Sequence, residues 1–203
     1  ASFGVKLDPE QIITSATLTV DYLKDHYPLG SKVFVLGSES LQRLITKAGY
    51  IVSNDDDRPE GDCVIAGMDR TLTFQKLVDA NRLIRSGAKY IATNTDATFP
   101  TPEGLIPGAG TVVMAVQTAS GTEPYVIGKP KPYAYQAGMR YLGLKPDQIM
   151  GVGDRLNTDI AGAQAAGCLT GFVCSGVNSR ETAQAWQPAI DIIADDLWSL
   201  LNA

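Results

Sequence analysis

The sequence GVGDRLNTDI, at residues 151–160, combines a short apolar run, a glycine turn and two acidic side chains. A strand is predicted over 148–152, and Asp154 follows where this strand ends. In parallel α/β sheets, ligands bind at this edge of the sheet. A carboxylate there can ligate a hard cation such as magnesium, which takes oxygen ligands. Asp159, at the start of the next predicted helix, can brace the loop by accepting hydrogen bonds from backbone N–H groups.

This stretch has other interpretations. Asp154 is a common type of turn residue, and Asp159 is a favourable charge for a first helical turn. Spacing alone therefore leaves a purely structural role open. A dinucleotide-binding loop is excluded, because Leu156 stands where the third glycine of Gly-x-Gly-x-x-Gly should be.

Outward from this stretch, short apolar runs alternate with amphipathic segments along the whole chain. After a turn that leads into a short strand over 9–16, strands are predicted at 32–37, 50–52, 63–66, 90–93, 125–127, 148–152, 170–173 and 190–193. Helices are predicted at 17–25, 40–48, 73–86, 111–119, 133–142, 158–166 and 179–184, with a last short helix from 196. This alternation is typical of βα units and predicts an α/β fold with a largely parallel sheet. The strand at 125–127 is expected to open a second block of the chain.

The composition narrows the class of protein. The 203 residues are 44% hydrophobic and 19% charged, which is typical of a globular protein. The net charge is −5 and no basic run occurs, so neither nucleic acid nor an anionic membrane surface is an expected partner. No run approaches the roughly 18 apolar residues of a membrane span. With no signal-peptide pattern and three cysteines that suit no disulfide framework or zinc site, a cytoplasmic protein with buried free thiols is expected.

A second feature is Gly128-Lys129-Pro130, directly after the predicted strand at 125–127. A lysine between glycine and proline at a strand end suits a fixed positive charge over a phosphoryl group. A solvated surface turn is the alternative, since most lysines are exposed.

A third feature is the long loop predicted between the strand at 90–93 and the helix at 111–119. It contains polar groups, prolines and one aromatic residue, and ends in Pro107-Gly108-Ala109-Gly110. Loops longer than about 12 residues in compact domains are usually functional. The glycine turn also places backbone N–H groups at a helix start, which predicts an anion site there.

Together and in this order, these features resemble the NagD and 4-nitrophenylphosphatase branch of the haloacid dehalogenase-like hydrolases. The matching segments are 12–16, 63–69, 91–96, 107–110, 128–130 and 152–160. The similarity covers essentially all of the chain. Its last segment, Gly-Asp-Arg-Leu-x-Thr-Asp-Ile at 153–160, is specific for this branch.

The resemblance implies a Rossmann-like core with a large inserted α/β cap. Residues 1–25 would be core, 26–122 cap and 123–203 core again. It implies a magnesium-dependent phosphatase that acts on small phosphomonoesters, such as 4-nitrophenyl phosphate and sugar or glycolate phosphates, through an aspartyl-phosphate. The implied partners are a small phosphorylated metabolite and a second copy of the chain, bound through the cap.

The same resemblance assigns roles to single residues. Lys129 would be catalytic and balance negative charge on the nucleophile and the substrate phosphate, and Asp154 would ligate magnesium. Asp159 and Asn157 would support Asp154. The substrate would be contacted by Lys129, Asn94, Asp96, Phe99 and Pro100.

One departure from the family pattern affects activity. The family opens with a strand ending in Asp-x-Asp-Gly, whose first aspartate attacks phosphorus and whose second acts as acid and base. These 203 residues contain no such motif. We expect the nucleophile to lie outside this chain and the chain alone to be inactive. Two alternatives stay open: a noncatalytic phosphate-ligand-binding or regulatory protein of the same fold, and an unrelated nucleotide-binding α/β protein.

Overall fold

The computed structural model describes residues 6, 8 and 11–202, except for the side chain of Pro100. The chain divides into two compact units, unit 1 (Ala1–Ile127) and unit 2 (Gly128–Ala203). Each contains a parallel sheet with helices, so the predicted α/β class is confirmed. The assignment of 1–25, 26–122 and 123–203 to core and cap stays a prediction.

Unit 1 is built on a five-stranded parallel sheet. The strands of this sheet are β1 (Lys32–Leu36), β2 (Ile51–Val52), β3 (Cys63–Ala66), β4 (Lys89–Ala92) and β7 (Tyr125–Val126). A separate hairpin is formed by β5 (Thr98–Thr101) and β6 (Gly104–Pro107). The helices of unit 1 are α1 (Ser15–His26), α2 (Glu39–Lys47), α3 (Phe74–Arg85) and α4 (Ala109–Ser120). The order in the sheet is β2-β1-β3-β4-β7.

The central strands of this sheet are buried on both faces. Phe34 and Leu36 of β1 pack with residues of α3 and α4. Val33 and Val35, which point to the opposite face, are equally buried. Near-continuous apolar strands of this kind occur where a parallel sheet is covered on both sides.

The prediction of a short strand within 9–16 is wrong for the part of this segment that the structure describes. Residues 12–14 have no regular structure, and α1 begins at Ser15. The Thr14 hydroxyl accepts a hydrogen bond from the Thr17 amide, and the Thr17 hydroxyl accepts one from the Thr14 amide. This reciprocal capping starts a helix, so the β-branched residues before it stay outside the sheet. Pro9 and Glu10 lie outside the described residues.

The predicted long loop contains a β-hairpin that the sequence interpretation missed. Strand β5 pairs antiparallel with β6, and Phe99 lies opposite Ile106. A proline inside a strand removes one backbone donor, so a run such as Thr-Phe-Pro-Thr does not resemble a strand in sequence. The hairpin tolerates it because it has only two strands and each is an edge.

Unit 2 carries a three-stranded parallel sheet in the order β10-β9-β8. The strands are β8 (Met150–Gly153), β9 (Leu169–Val173) and β10 (Ile192–Ala194), and the helices are α5 (Tyr133–Leu142), α6 (Ala161–Ala165), α7 (Arg180–Gln184) and α8 (Leu197–Leu201). A short 3₁₀ turn spans Pro146–Gln148 and a π-helical turn spans Leu156–Ile160. Phe172 of β9 packs with Leu156 and Ile160 of that turn.

Two expectations about element placement are corrected. Strand β7, expected to open the second block, pairs with β4 in the sheet of unit 1. The helix predicted at 158–166 is replaced by the π-helical turn followed by the five residues of α6. The turn is widened because the amides of Asp159 and Ile160 both donate to the carbonyl oxygen of Arg155, at 2.9 and 3.2 Å. Such widened turns are frequent at functional sites.

None of the helices in the described residues is long and apolar enough to cross a membrane.

The cysteines are free, as predicted, and two of them are buried. Cys63 and Cys168 are buried, whereas Cys174 is partly exposed. Burial raises the pKa of the Cys63 thiol to about 12, and the nearby Asp62 charge adds to this shift. Burial also raises the pKa of the Cys168 thiol. Since the thiolate is the reactive form, both thiols should be unreactive in the folded chain near pH 8.

This pattern predicts a simple thiol titration. At pH 8 the native chain should react rapidly with 5,5′-dithiobis(2-nitrobenzoate) at Cys174 alone, and all three thiols should react in denaturant. Cys174→Ser should remove the rapid phase. Rapid labelling of two thiols in the native chain would show that the burial of Cys63 or Cys168 is wrong.

Candidate functional site

In unit 2, the loop after β8 places two carboxylates in different environments. Asp154 directly follows Gly153, the last residue of β8, and is partly exposed. Asp159 lies in the π-helical turn and is buried. Asp154 therefore lies directly after the end of a strand, as predicted.

Each carboxylate oxygen of Asp159 accepts a hydrogen bond from a different group. Its Oδ1 accepts a hydrogen bond from the ammonium group of Lys129, and the pair forms an ion pair. Its Oδ2 accepts one from the Arg155 amide at 3.1 Å. The Lys129 side chain is 47% exposed, so its ammonium group keeps donors for a ligand while Asp159 fixes its position.

Tyr135 is a member of this site that the sequence interpretation missed. Its hydroxyl donates to the backbone carbonyl oxygen of Asp159 at 2.8 Å. Burial raises the pKa of Tyr135, and the negative charge of Asp159 adds to that shift, so the phenol stays a hydrogen-bond donor. Its ring leaves no space for a side chain at Gly151 or Gly162, where an added Cβ would lie 2.6 and 2.9 Å from ring atoms. Only the fold brings this helical tyrosine to the loop.

Asp154 is held by the loop that follows β9. Its Oδ2 accepts a hydrogen bond from the Val177 amide at 2.8 Å. The Asn178 amide donates to the Asp154 carbonyl oxygen at 3.2 Å, and the Asn178 side chain accepts from the Leu156 amide at 3.0 Å. Sequence reasoning missed this second loop, although Gly-Val-Asn after a predicted strand is the same strand-end signal that identified Asp154.

Two glycines allow the carboxylates to approach the backbone this closely. A Cβ added at Gly153 would lie 2.3 Å from the Asp159 Cβ, and one added at Gly176 would lie 2.0 Å from the Asp154 Oδ2. Both distances are far inside van der Waals contact. Gly153 and Gly176 therefore leave the space that the two acidic side chains occupy.

Asn157 is exposed on the π-helical turn. Within the described part of the chain, its side chain has no hydrogen bond to Asp154 or to any other residue. The supporting role assigned to Asn157 stays a prediction.

Asp154 has the right chemistry for one magnesium ligand, because magnesium prefers carboxylate oxygens. One of its oxygens is held by an amide, and the other accepts no hydrogen bond from residues 11–202. Asp159 is already engaged by Lys129 and Arg155. Among the described residues, no three acidic, histidine or cysteine side chains converge on one point. These residues thus supply one fitting ligand, which would hold magnesium poorly by itself.

Unit 1 has a separate cleft at the carboxyl ends of β1, β3 and β4, with a volume of about 260 Å³. Its lining residues include Ser38, Gly67, Met68, Thr93, Asn94, Asp96, Thr98 and Phe99. Three of the four predicted substrate-binding residues of the loop, Asn94, Asp96 and Phe99, therefore lie in one cleft. The side chain of the fourth, Pro100, lies outside the described atoms.

Two of the amides that were expected to form an anion site at the start of α4 are already bonded. The Gly108 amide donates to the carbonyl oxygen of Ala97, and the Gly110 amide donates to that of Asp96, both at 2.9 Å. Added Cβ atoms at these glycines would lie 2.3 and 2.5 Å from carbonyl oxygens of the loop. The glycines allow this close packing, and their two amides already donate to loop carbonyl oxygens.

Comparison with known proteins identifies the family of this chain. The model for haloacid dehalogenase-like hydrolases matches residues 1–51, and a second model, HAD-hydrolase-like, matches residues 126–200. Acid sugar phosphatases of Staphylococcus aureus are 36% identical over 176 residues, which is 87% of this chain and 66% of theirs. The chain thus spans just under two thirds of the length of these curated relatives.

Solved structures give the same result. A glycerol phosphate phosphatase from Mycobacterium tuberculosis, in complex with magnesium, matches with a TM-score of 0.87 and 36% identity over 98% of this chain and 60% of that one. A p-nitrophenyl phosphatase from Archaeoglobus fulgidus matches with a TM-score of 0.88 and 30% identity over 99% of this chain and 77% of that one. The chain therefore belongs to the haloacid dehalogenase-like hydrolases, in the branch that contains NagD and the 4-nitrophenylphosphatases.

Proposed function

We propose that these 203 residues are part of a magnesium-dependent phosphatase that acts on small phosphomonoesters. The observation that carries this proposal is the ion pair between Lys129 and the buried Asp159, which belongs to the same loop after β8 as Asp154. A positioned cation beside a carboxylate suited to magnesium is the combination that a metal-bound phosphate needs. The phosphatase relatives in Staphylococcus, Mycobacterium and Archaeoglobus support it.

In this proposal the residues of the chain bind and orient the phosphoryl group. The Lys129 ammonium group stabilises negative charge on the phosphoryl oxygens, and Asp159 keeps that group in place. Asp154 supplies a carboxylate ligand for magnesium, and the Val177 amide fixes the direction of that carboxylate. Magnesium, when bound, would neutralise phosphate charge and stabilise the leaving oxygen.

The attacking group is proposed to come from outside this sequence, which has no Asp-x-Asp-Gly. An aspartate would attack phosphorus, the bond to the leaving oxygen would break, and a second aspartate would protonate that oxygen. Water would then hydrolyse the aspartyl-phosphate. These 203 residues would supply the electrostatic part of this mechanism.

The substrates proposed are 4-nitrophenyl phosphate and sugar or glycolate phosphates. Asn94, Asp96, Phe99 and Pro100 would contact the leaving group, in agreement with the cleft that the first three line. A second copy of the chain, bound through 26–122, is the proposed partner, and the cytoplasm is the proposed location. The alternative is a noncatalytic protein of the same fold that binds a phosphorylated ligand.

The magnesium role is tested by removing the Asp154 charge in a polypeptide that includes the Asp-x-Asp-Gly segment. Asp154→Asn should raise the magnesium concentration for half-maximal hydrolysis by at least about tenfold, because a metal ligand is weakened. Asp147→Asn is the matched control, since Asp147 is exposed on the 3₁₀ turn before β8 and should leave the requirement unchanged. An unchanged magnesium requirement in Asp154→Asn would remove Asp154 from the metal site. Absence of hydrolysis in the unmodified polypeptide would favour the noncatalytic alternative.

A further inference from the structure

We infer that Tyr135 is a positioning residue, whose hydroxyl holds the π-helical turn of unit 2 so that Asp159 keeps the Lys129 ammonium group in a fixed place. This deepens the proposed function and rests on it in one respect, namely that Lys129 acts on the phosphoryl group. The placement of the turn by Tyr135 is a property of the chain itself, and it is tested separately from hydrolysis.

Two bonds join the start of α5 to the π-helical turn, and both end at Asp159. The Lys129 ammonium group donates to the Asp159 Oδ1, and the Tyr135 hydroxyl donates to the Asp159 backbone carbonyl oxygen at 2.8 Å. Lys129 precedes α5, and Tyr135 lies in the first turn of this helix. Lys129 therefore holds the side chain of Asp159, and Tyr135 holds its backbone. Because the position of a side chain depends on its backbone, the Tyr135 bond also determines where the ammonium group lies.

The Tyr135 ring is fixed by close packing on two sides. A Cβ added at Gly151 of β8 or at Gly162 of α6 would lie 2.6 or 2.9 Å from ring atoms, so the ring lies directly against both backbones. A ring held in this way points its hydroxyl in one direction. Little further side-chain entropy is lost when the hydroxyl donates to the turn, which favours the hydrogen bond.

The turn that carries Asp159 is not a regular helix and depends on bonds from outside. The amides of Asp159 and Ile160 share the Arg155 carbonyl oxygen, which widens the turn. The Asn178 side chain accepts a hydrogen bond from the amide of the first residue of the turn at 3.0 Å. The Tyr135 hydroxyl bonds near its other end. Removal of this second anchor should loosen the end of the turn that carries the Asp159 carboxylate.

The Tyr135 phenol stays protonated at neutral pH. Burial raises the pKa of Tyr135, and the charges of Asp159 and Cys168 add to this shift. The phenol is therefore a neutral donor to the carbonyl oxygen. Tyr135→Phe keeps the ring and removes the hydroxyl without changing the charge of the site, so its effects report the loss of one hydrogen bond.

The placement of the turn is tested by amide hydrogen exchange on the 203-residue chain carrying Tyr135→Phe. The Arg155 and Asp159 amides should exchange at least about fivefold faster, since one hydrogen bond is lost. The Val177 amide, which donates to Asp154 from a different loop, should exchange at its unmodified rate. Equal acceleration at all three amides would show a general loss of stability and overturn the inference. Unchanged exchange at Arg155 and Asp159 would overturn it too.

The effect on catalysis is tested in the polypeptide that includes the Asp-x-Asp-Gly segment. Tyr135→Phe should lower kcat about fivefold. Added to Lys129→Met, it should lower kcat by less than about twofold further, because no ammonium group is left to position. Tyr141→Phe is the matched control, since Tyr141 is an exposed tyrosine of the same helix and should leave kcat unchanged.

The double variant separates positioning from a merely structural role. Losses in kcat that multiply in the Tyr135→Phe, Lys129→Met protein would show that Tyr135 does not act through Lys129, and would overturn the inference. Absence of hydrolysis in the unmodified polypeptide would instead overturn the proposed function. In that case the exchange rates of Arg155 and Asp159 still decide whether Tyr135 places the turn.

Discussion

The 203-residue chain on its own should release no 4-nitrophenol from 4-nitrophenyl phosphate in magnesium buffer, whereas a polypeptide joining it to an Asp-x-Asp-Gly segment should. We expect rates more than about 10⁴-fold apart, because general acid–base catalysis alone contributes about 10²–10⁴ and the nucleophile is also lacking. Lys129 and Asp154 stabilise charge but cannot form the covalent bond. The measurement is initial velocity by absorbance at saturating substrate.

The control for this comparison is the joined polypeptide with the first aspartate of Asp-x-Asp-Gly changed to asparagine. It has the same fold and purification history and should be as inactive as the chain alone, which excludes a contaminating phosphatase. Robust magnesium-dependent hydrolysis by the 203-residue chain that survives Asp154→Ala would contradict the roles assigned to these residues.

The second large effect is expected from Lys129→Met in the joined polypeptide. It should lower kcat by about 10²–10³, the usual cost of removing one group that stabilises transition-state charge. Lys131→Met is the matched control, because Lys131 is an exposed lysine two residues away that makes no ion pair in the described residues. Its kcat should stay within about twofold of the unmodified protein, since exposed charges contribute little.

A stability measurement separates catalysis from folding in this experiment. Lys129→Met leaves the buried carboxylate of Asp159 without its cation, although the Arg155 amide still donates to it. Urea unfolding and circular dichroism of the variant should show a folded unit 2. A folded Lys129→Met protein with unchanged kcat would contradict the role of Lys129. If Lys129→Met does not fold, kcat is measured for Lys129→Arg instead, because arginine keeps the positive charge.

Several elements of the fold were predictable because their signals are local. The strand predicted at 32–37 corresponds to β1, and the helix predicted at 17–25 lies within α1, because a hydrophobic pattern identifies both. The cap at Thr14, which starts α1 at Ser15, was missed. The hairpin β5–β6 was missed because a proline, Pro100, is atypical of a strand. The partner strand β6 follows after a turn of two residues. Strand β7 was assigned to the wrong sheet, since pairing with β4 depends on neighbours more than 30 residues away.

By itself, the sequence determined the α/β class, the strand-end position of Asp154, and Lys129 and Asp159 as candidate residues, since strand ends and motif spacing are properties of consecutive residues. Only the tertiary structure decided that Lys129 pairs with Asp159, 30 residues along the chain. It also decided that Tyr135 and Val177 hold the site, and that the Gly108 and Gly110 amides at the start of α4 donate to loop carbonyls. The physical reason is that hydrogen bonds and ion pairs depend on distance in space, which a linear pattern does not contain.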